Sequence, residues 1–264
     1  MTARRCAATA LELIPMHAPA PPLIPTEMLL LAYRSGIFPM ADSREDPEIF
    51  WVEPRERATF PLENFRMSKS LRKTVRQDRF RVSCDTAFAD VVGACAQPRP
   101  DHPESWISHR IAASYAALHD QGHAHSIECW DGETLVGGLY GVSFDRVFCG
   151  ESMFSHANNA SKVALAWLVA ILRRAGFEVL DCQFMTDHLA SLGAIEMSQQ
   201  DYVQKIASAQ GKPRMSIPEA YVSLVSGADG AGSAGAAAGA DAVGVGAGAS
   251  SPGNLIAQSL TQTS

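Results

Sequence analysis

The feature that most constrains the fold is a change of hydrophobic period. Over residues 105–121 the apolar side chains Ile107, Ile111, Tyr115 and Leu118 recur at intervals of three and four. That spacing puts them on one face of a helix, which Gly122 ends. The period then drops to two. Residues 125–130, 134–142 and 146–153 read as three consecutive antiparallel strands, with Asp131-Gly132 as the turn between the first two. A further helix over 161–175 carries Arg173 and Arg174 in its last turn, where cations suit the negative end of the dipole. Residues 177–183 return to strand. Meander, helix and strand in that order predict an α+β fold with a mostly antiparallel central sheet.

Organisation on either side follows from punctuation. Residues 1–24 read as a loose lead-in, with five prolines between positions 15 and 25. Thr26 is expected to N-cap a helix carrying Met28, Leu29, Leu30 and Leu31, with Gly36 beyond its end. With Phe38-Pro39 and Phe50-Trp51 flanking an acidic loop, this predicts a small N-terminal domain over 25–65. The larger domain, 66–225, opens with Ser68 as N-cap of a helix through Gln77. A strand over 80–83 and an apolar helical segment over 87–96 follow. From 226 the composition collapses to Ala, Gly, Ser, Val and Asp, so residues 226–264 are predicted to be a disordered tail.

Charge and cysteine usage narrow the function. A net charge of −6 argues against indiscriminate coating of nucleic acid. Yet residues 66–81 hold Arg66, Lys69, Arg72, Lys73, Arg76, Arg79 and Arg81, opposed by Asp78 alone. Such a stretch is either a solvated helix face or a contact for phosphates. The six cysteines show no C-x-x-C pair and read as buried reduced thiols. There is no long apolar run and no clean signal-peptide core, which predicts a cytoplasmic protein without a membrane span. His119, His123 and His125 lack acidic or cysteine partners at a ligand spacing, so no metal is expected. Ser152 and Ser155 lack the G-x-S-x-G elbow of a hydrolase.

Polar residues on apolar strands mark the chemistry. Asp181 and Gln183 share one face of their strand, being two residues apart. Either a buried hydrogen-bonded pair or a cleft accounts for them. Glu151 ends the third strand of the meander, as a surface ion pair or as a cation or proton acceptor. Gly137, Gly138 and Gly141 lie inside a strand, so they mark a bulge or a close approach of a ligand, not a phosphate loop. Trp51 and Trp106 offer faces for a base to stack on.

These segments together resemble the leucyl/phenylalanyl-tRNA–protein transferases. The resemblance is carried by Ala32-Tyr33-Arg34-Ser35-Gly36-Ile37-Phe38-Pro39-Met40, Phe50-Trp51-Val52-Glu53-Pro54, Ser68-Lys69-Ser70-Leu71-Arg72-Lys73 and Ser105-Trp106-Ile107. It continues through residues 114–119, 124–130, 135–141 and 150–155, then Ala160-Ser161-Lys162, Asp181-Cys182-Gln183 and 188–194. Met40 stands where the family pattern has Trp, and Val52-Glu53 where it has Trp-Ser. The resemblance implies a GNAT-type acyltransferase domain that moves Leu or Phe, with Met as a further donor, from charged tRNA to proteins with N-terminal Lys or Arg, marking them for degradation. It implies no cofactor, and a monomer is expected. By the same resemblance Asp181 and Gln183 are catalytic, Asp181 drawing off the amine's proton directly or through Gln183, which contacts the amine. Glu151 pairs with the acceptor's basic residue. Trp51 and Trp106 line the adenosine site, Met153 and Phe154 the side-chain pocket, and Tyr115 joins the substrate side. Arg66, Lys69, Arg72, Lys73 and Arg76 hold tRNA phosphates. Two rivals are an acyl-CoA N-acyltransferase, against which residues 156–162 lack a pyrophosphate loop, and a non-catalytic tRNA-binding protein.

Overall fold

The computed structural model describes residues 22–98, 103–230 and 251–261. α1 (Thr26–Arg34) leads to a short hairpin of β1 (Phe38–Met40) and β2 (Phe50–Val52), then β3 (Glu56–Phe60). α2 (Lys69–Arg76), β4 (Arg81–Cys84), α3 (Phe88–Cys95) and α4 (His109–Asp120) precede the meander β5 (Ala124–Asp131), β6 (Thr134–Phe144) and β7 (Val147–Ser155). α5 (Ala160–Ala175) crosses to β8 (Val179–Gln183), and α6 (Asp187–Leu192), β9 (Ile195–Ser198), α7 (Gln199–Ser208), α8 (Ile217–Gly230) and α9 (Pro252–Ser259) follow.

Seven strands form the main sheet in the order β4-β5-β6-β7-β8-β3-β9. Every neighbouring pair is antiparallel except β7 and β8, which α5 joins as a parallel crossover. The mostly antiparallel α+β plan is therefore as expected. α5 is apolar all round, and the reason is that it is buried between the sheet and α2, α8 and α9. The other sheet face is covered by α1, α3, α4 and α7. Gly137 permits the start of α5 to sit on β6: a Cβ there would fall 2.5 Å from that of Ala160. The bulge among the strand glycines lies between Tyr140 and Gly141.

Four expectations need correction. The N-terminal unit does not run to residue 65 as a separate body. β3 is inserted between β8 and β9, and Leu29, Tyr33 and Phe38 share one core with α4, β6 and β7. β3 is only five residues long and its partners come more than a hundred residues later, so its local sequence does not announce it. α1 is preceded by Pro25 as its cap; Thr26 lies inside the helix and accepts a bond from Gln121. α4 starts later than expected, because Ser108 caps it through the Ile111 amide and leaves Trp106 in the preceding extended chain. Finally, the tail is not uniformly disordered. Residues 226–230 continue α8, and α9 packs Ile256, Ala257 and Leu260 into the core. Residues 231–250 and 262–264, like nearly all of the 1–24 lead-in, lie outside the described residues.

Candidate active site

β7 and β8 pair only from Val147↔Val179 to Cys149↔Asp181 and then part. The opening between them is a cleft of about 880 Å³. Glu151 and Gln183, each two residues beyond the last pair, line it from opposite strands. Parting strands leave room for side chains where a continuing ladder would have filled the space with its own hydrogen bonds.

Asp181 lies beneath this opening and is closed to solvent. Its Oδ1 accepts from Arg57 Nε at 2.9 Å and from the Gln183 amide at 2.8 Å. Its Oδ2 accepts from Arg57 Nη2 at 2.6 Å and from the Tyr202 hydroxyl at 3.1 Å. Those four bonds fill the lone pairs of a carboxylate. Arg57 is equally buried, with its guanidinium 4.9 Å from the Phe38 ring centre and 4.4 Å from that of Tyr202. Burial opposes its charge, but Asp181 outweighs burial and holds it above the usual arginine value. The pair therefore fixes Gln183, whose backbone is left-handed at φ 62°. Outside this hold a glutamine rarely adopts that conformation.

Glu151 is the contrasting carboxylate. Each oxygen has one partner: Tyr33 donates to Oε1 at 2.8 Å and Tyr115 to Oε2 at 2.9 Å. Burial pushes its pKa up to about 7 against these bonds and the neighbouring Gln183, while Asp181 adds to the rise. The hydroxyls of Tyr33 and Tyr115 are themselves 2.7 Å apart. Three short contacts among three groups need three protons. The tyrosines supply two, so the protonated carboxyl completes the ring and the anion leaves one contact without a hydrogen.

Among the described residues two buried donors in the cleft lining have no partner, Gln183 Nε2 and the Tyr140 hydroxyl. Gln183 comes near enough to Glu151 to favour its anion, but without a hydrogen bond of full geometry. Leu139, Leu165, Leu168, Leu180 and Met153 supply an apolar side. His188 also lines the cleft; burial, then Lys162, lowers its pKa.

The structure gathers most of the expected residues, with exceptions. Glu151, Gln183, Met153 and Trp106 line the cleft, and so does Met40. Tyr115 stands behind Glu151. Phe154, next to Met153 on the strand, leaves by the opposite face and is buried in the core. Trp51 lies on the β1–β2 hairpin beside the opening, and its neighbour Phe50 reaches the lining with exposed Phe184. Arg66, Lys69, Arg72 and Lys73 are exposed on or beside α2 and away from this cleft. Arg76 bonds to Asn254. His119 and His125 are engaged by the Ala124 carbonyl and Asp85. Sequence reasoning missed Tyr33, Arg57, Tyr140 and Tyr202; nothing in the local pattern separates them from ordinary core residues.

The start of α5, where an acyl-CoA enzyme would present free amides to a pyrophosphate, is occupied by the chain itself. The Ala160 amide donates to the Ala157 carbonyl at 3.1 Å and the Ser161 amide to Ser155 Oγ at 3.2 Å. Among the described residues no helix is long and apolar enough to cross a membrane.

A cleft opened by parting parallel strands, with a near-neutral carboxylate, two donors unpartnered among the described residues and an apolar wall, has the parts that an acyl-transfer enzyme uses. The leucyl/phenylalanyl-tRNA protein transferase family model matches residues 59–207, and the model of that family's N-terminal domain matches 24–55. A leucyl/phenylalanyl-tRNA–protein transferase of Novosphingobium aromaticivorans is 57% identical over 258 residues, 92% of this chain and 98% of that one. Proteins of the same name from Rhizorhabdus wittichii and Cereibacter sphaeroides are 58% and 52% identical, covering 71% and 76% of this chain and 76% and 92% of theirs. The chain belongs to the leucyl/phenylalanyl-tRNA–protein transferase family.

Proposed function

We propose that this chain transfers Leu or Phe, and also Met, from charged tRNA to the α-amine of proteins with N-terminal Lys or Arg, as a cytoplasmic monomer without a cofactor, and so marks those proteins for degradation. The order meander, helix, strand and the parted β7–β8 pair support a GNAT-type fold. The observation that carries the reading is the grouping of Glu151 with two unpartnered donors beside an apolar wall.

In the reaction the amine nitrogen bonds to the ester carbonyl carbon, the bond from that carbon to the ribose oxygen breaks, and the tRNA 3′ end leaves as an alcohol. Ester to amide is downhill, so no ATP is needed. The amine arrives as an ammonium and must lose one proton before it attacks; a second passes from the nitrogen of the adduct to the departing ribose oxygen, which leaves as the alcohol. Asp181 has no lone pair to receive it; Glu151 has one left on each oxygen and ionises near neutral pH. Glu151 is therefore assigned the proton, and Asp181 the positioning of Gln183. Gln183 Nε2 and the Tyr140 hydroxyl donate to the carbonyl oxygen as charge develops on it. The aliphatic wall receives the Leu or Phe side chain, and Met153 lets it adapt to either. Trp106, Phe50 and Phe184 offer rings to the terminal adenosine. The exposed cations of the α2 region hold phosphates farther along the tRNA. The engaged amides at the start of α5 disfavour the acyl-CoA rival.

The test is transfer of labelled leucine from purified Leu-tRNA to a protein beginning with Arg, without ATP or coenzyme A. Transfer that disappears when the first residue is acidic is expected. A folded preparation inactive with Leu-, Phe- and Met-tRNA would overturn the proposal. Charge reversal at Arg72 and Lys73 should raise the KM for tRNA and flatten its salt dependence while kcat holds.

A further inference from the structure

A second cleft, of about 480 Å³, lies beyond α6 from the active site. Asn64, Arg66 and Arg72 form one wall, Leu260 and Thr261 the other, and Glu63 stands at its edge. α6 links the two cavities. His188 and Leu189 on it face the active-site cleft, and the Leu192 carbonyl at its far end accepts the Arg66 amide at 2.8 Å. Its six residues span about 9 Å.

Arg66 and Arg72 are exposed, and the ion pairs among the described residues include neither of them. Glu63 is bound by Arg173 at 2.9 Å, and the same guanidinium donates to the Ser259 carbonyl at 3.0 Å, pinning the last turn of α9 at the cleft's edge. The other end of α9 is seated on the end of α2. The Gly253 amide donates to Asp78 Oδ1 at 2.8 Å, and Arg76 Nε to Asn254 Oδ1 at 3.2 Å. A Cβ at position 253 would fall 2.0 Å from the Val75 carbonyl oxygen. The two helices thus run antiparallel, and the basic helix meets solvent with α9 fixed beside it.

We infer that this cleft binds a backbone phosphate of the donor RNA, with Arg66 and Arg72 as its cations and the C-terminal helix as its second wall. The inference rests on the transferase reading above. Two guanidinium forks suit a phosphate, and Asn64 adds a neutral donor. It makes α9, which lies past the family match ending at residue 207, a part of donor recognition.

Thr261 is exposed, so its charge can be changed without entering the core. Thr261→Glu should raise the Kd for aminoacyl-tRNA about fivefold at low salt and Thr261→Lys should lower it, both effects shrinking as salt rises. Gly253→Val, which unseats α9 and leaves both arginines in place, should weaken binding about tenfold and reduce the salt slope by about one contact. Affinities that ignore the sign of the charge at 261, or that tighten when α9 is unseated, would overturn the inference. Wild-type transfer from 3′-O-phenylalanyl adenosine, a donor without phosphate, tests the transferase reading by itself. Its failure together with that of tRNA would sink that reading, whereas transfer with a Kd indifferent to Thr261 would sink the subsite alone.

Discussion

Glutamine in place of Glu151 keeps the size of the side chain and removes its charge. Its amide can also complete the ring with Tyr33 and Tyr115, donating to one hydroxyl and accepting from the other, as the protonated acid does. The fold raises this carboxyl from 4.5 to about 7, and at about 1.4 kcal/mol per unit its ionisation is about 3 kcal/mol harder in the native chain than in the unfolded one. Between these two values the unfolded chain has released the proton and the native chain retains it. The native state therefore loses stability as pH rises through that window, and the loss is complete above about pH 7. Glu151→Gln should be more stable than wild type by about 1 kcal/mol at pH 5 and about 3 kcal/mol at pH 8. Urea unfolding of both proteins at the two pH values reads that change, and other titrating groups cancel in the difference. The same variant should lose transfer by about a hundredfold or more, and with it the rise in rate through neutral pH. An advantage that stays constant between pH 5 and 8 would refute the raised carboxyl and the role derived from it.

Arg57→Met strands the Asp181 charge in the core and should cost about 3–5 kcal/mol in urea unfolding; a loss under about 1 kcal/mol would mean that water reaches Asp181. Asp181→Asn should lower stability and turnover together and leave the pH dependence of the residual rate in place. A variant of normal stability whose neutral-pH limb has gone would return the proton to Asp181. Ile256→Ala should cost about 2–4 kcal/mol, measured by thermal or urea unfolding, and no change would mean that α9 is not docked.

The meander was legible because its strands are long and set off by turn residues. The meander and the Ser68 cap follow from local chemistry, but the turn expected at Asp131-Gly132 falls one residue later, at Gly132-Glu133, because Asp131 still pairs with Thr134. β3 was not legible, because it is only five residues long and its neighbours β8 and β9 lie over a hundred residues away in the chain. α9 was hidden by the Gly- and Ala-rich stretch before it, although Ser251 followed by Pro252 is a legible start: Ser251 accepts from the Asn254 amide, with proline in the first turn. In the site, the two-residue spacing of Asp181 and Gln183 was informative, and the resemblance supplied Glu151. What escaped was the contrast between the surroundings of the two carboxylates. It depends on Arg57 and Tyr33, which are 124 and 118 residues from Asp181 and Glu151, and on a left-handed backbone at Gln183 that no residue type announces.

The insertion of β3 between two late strands also sets a clock. A ribosome adding about 5–20 residues per second needs roughly 6–25 s to make the 124 residues from Arg57 to Asp181. β4 to β7 can pair with one another in that time, but β3 has no partner until β8 and β9 emerge. The ion pair that orders Gln183 forms only then. Catalytic competence then arrives with completion of the sheet, so a chain halted partway through synthesis has no partly working site.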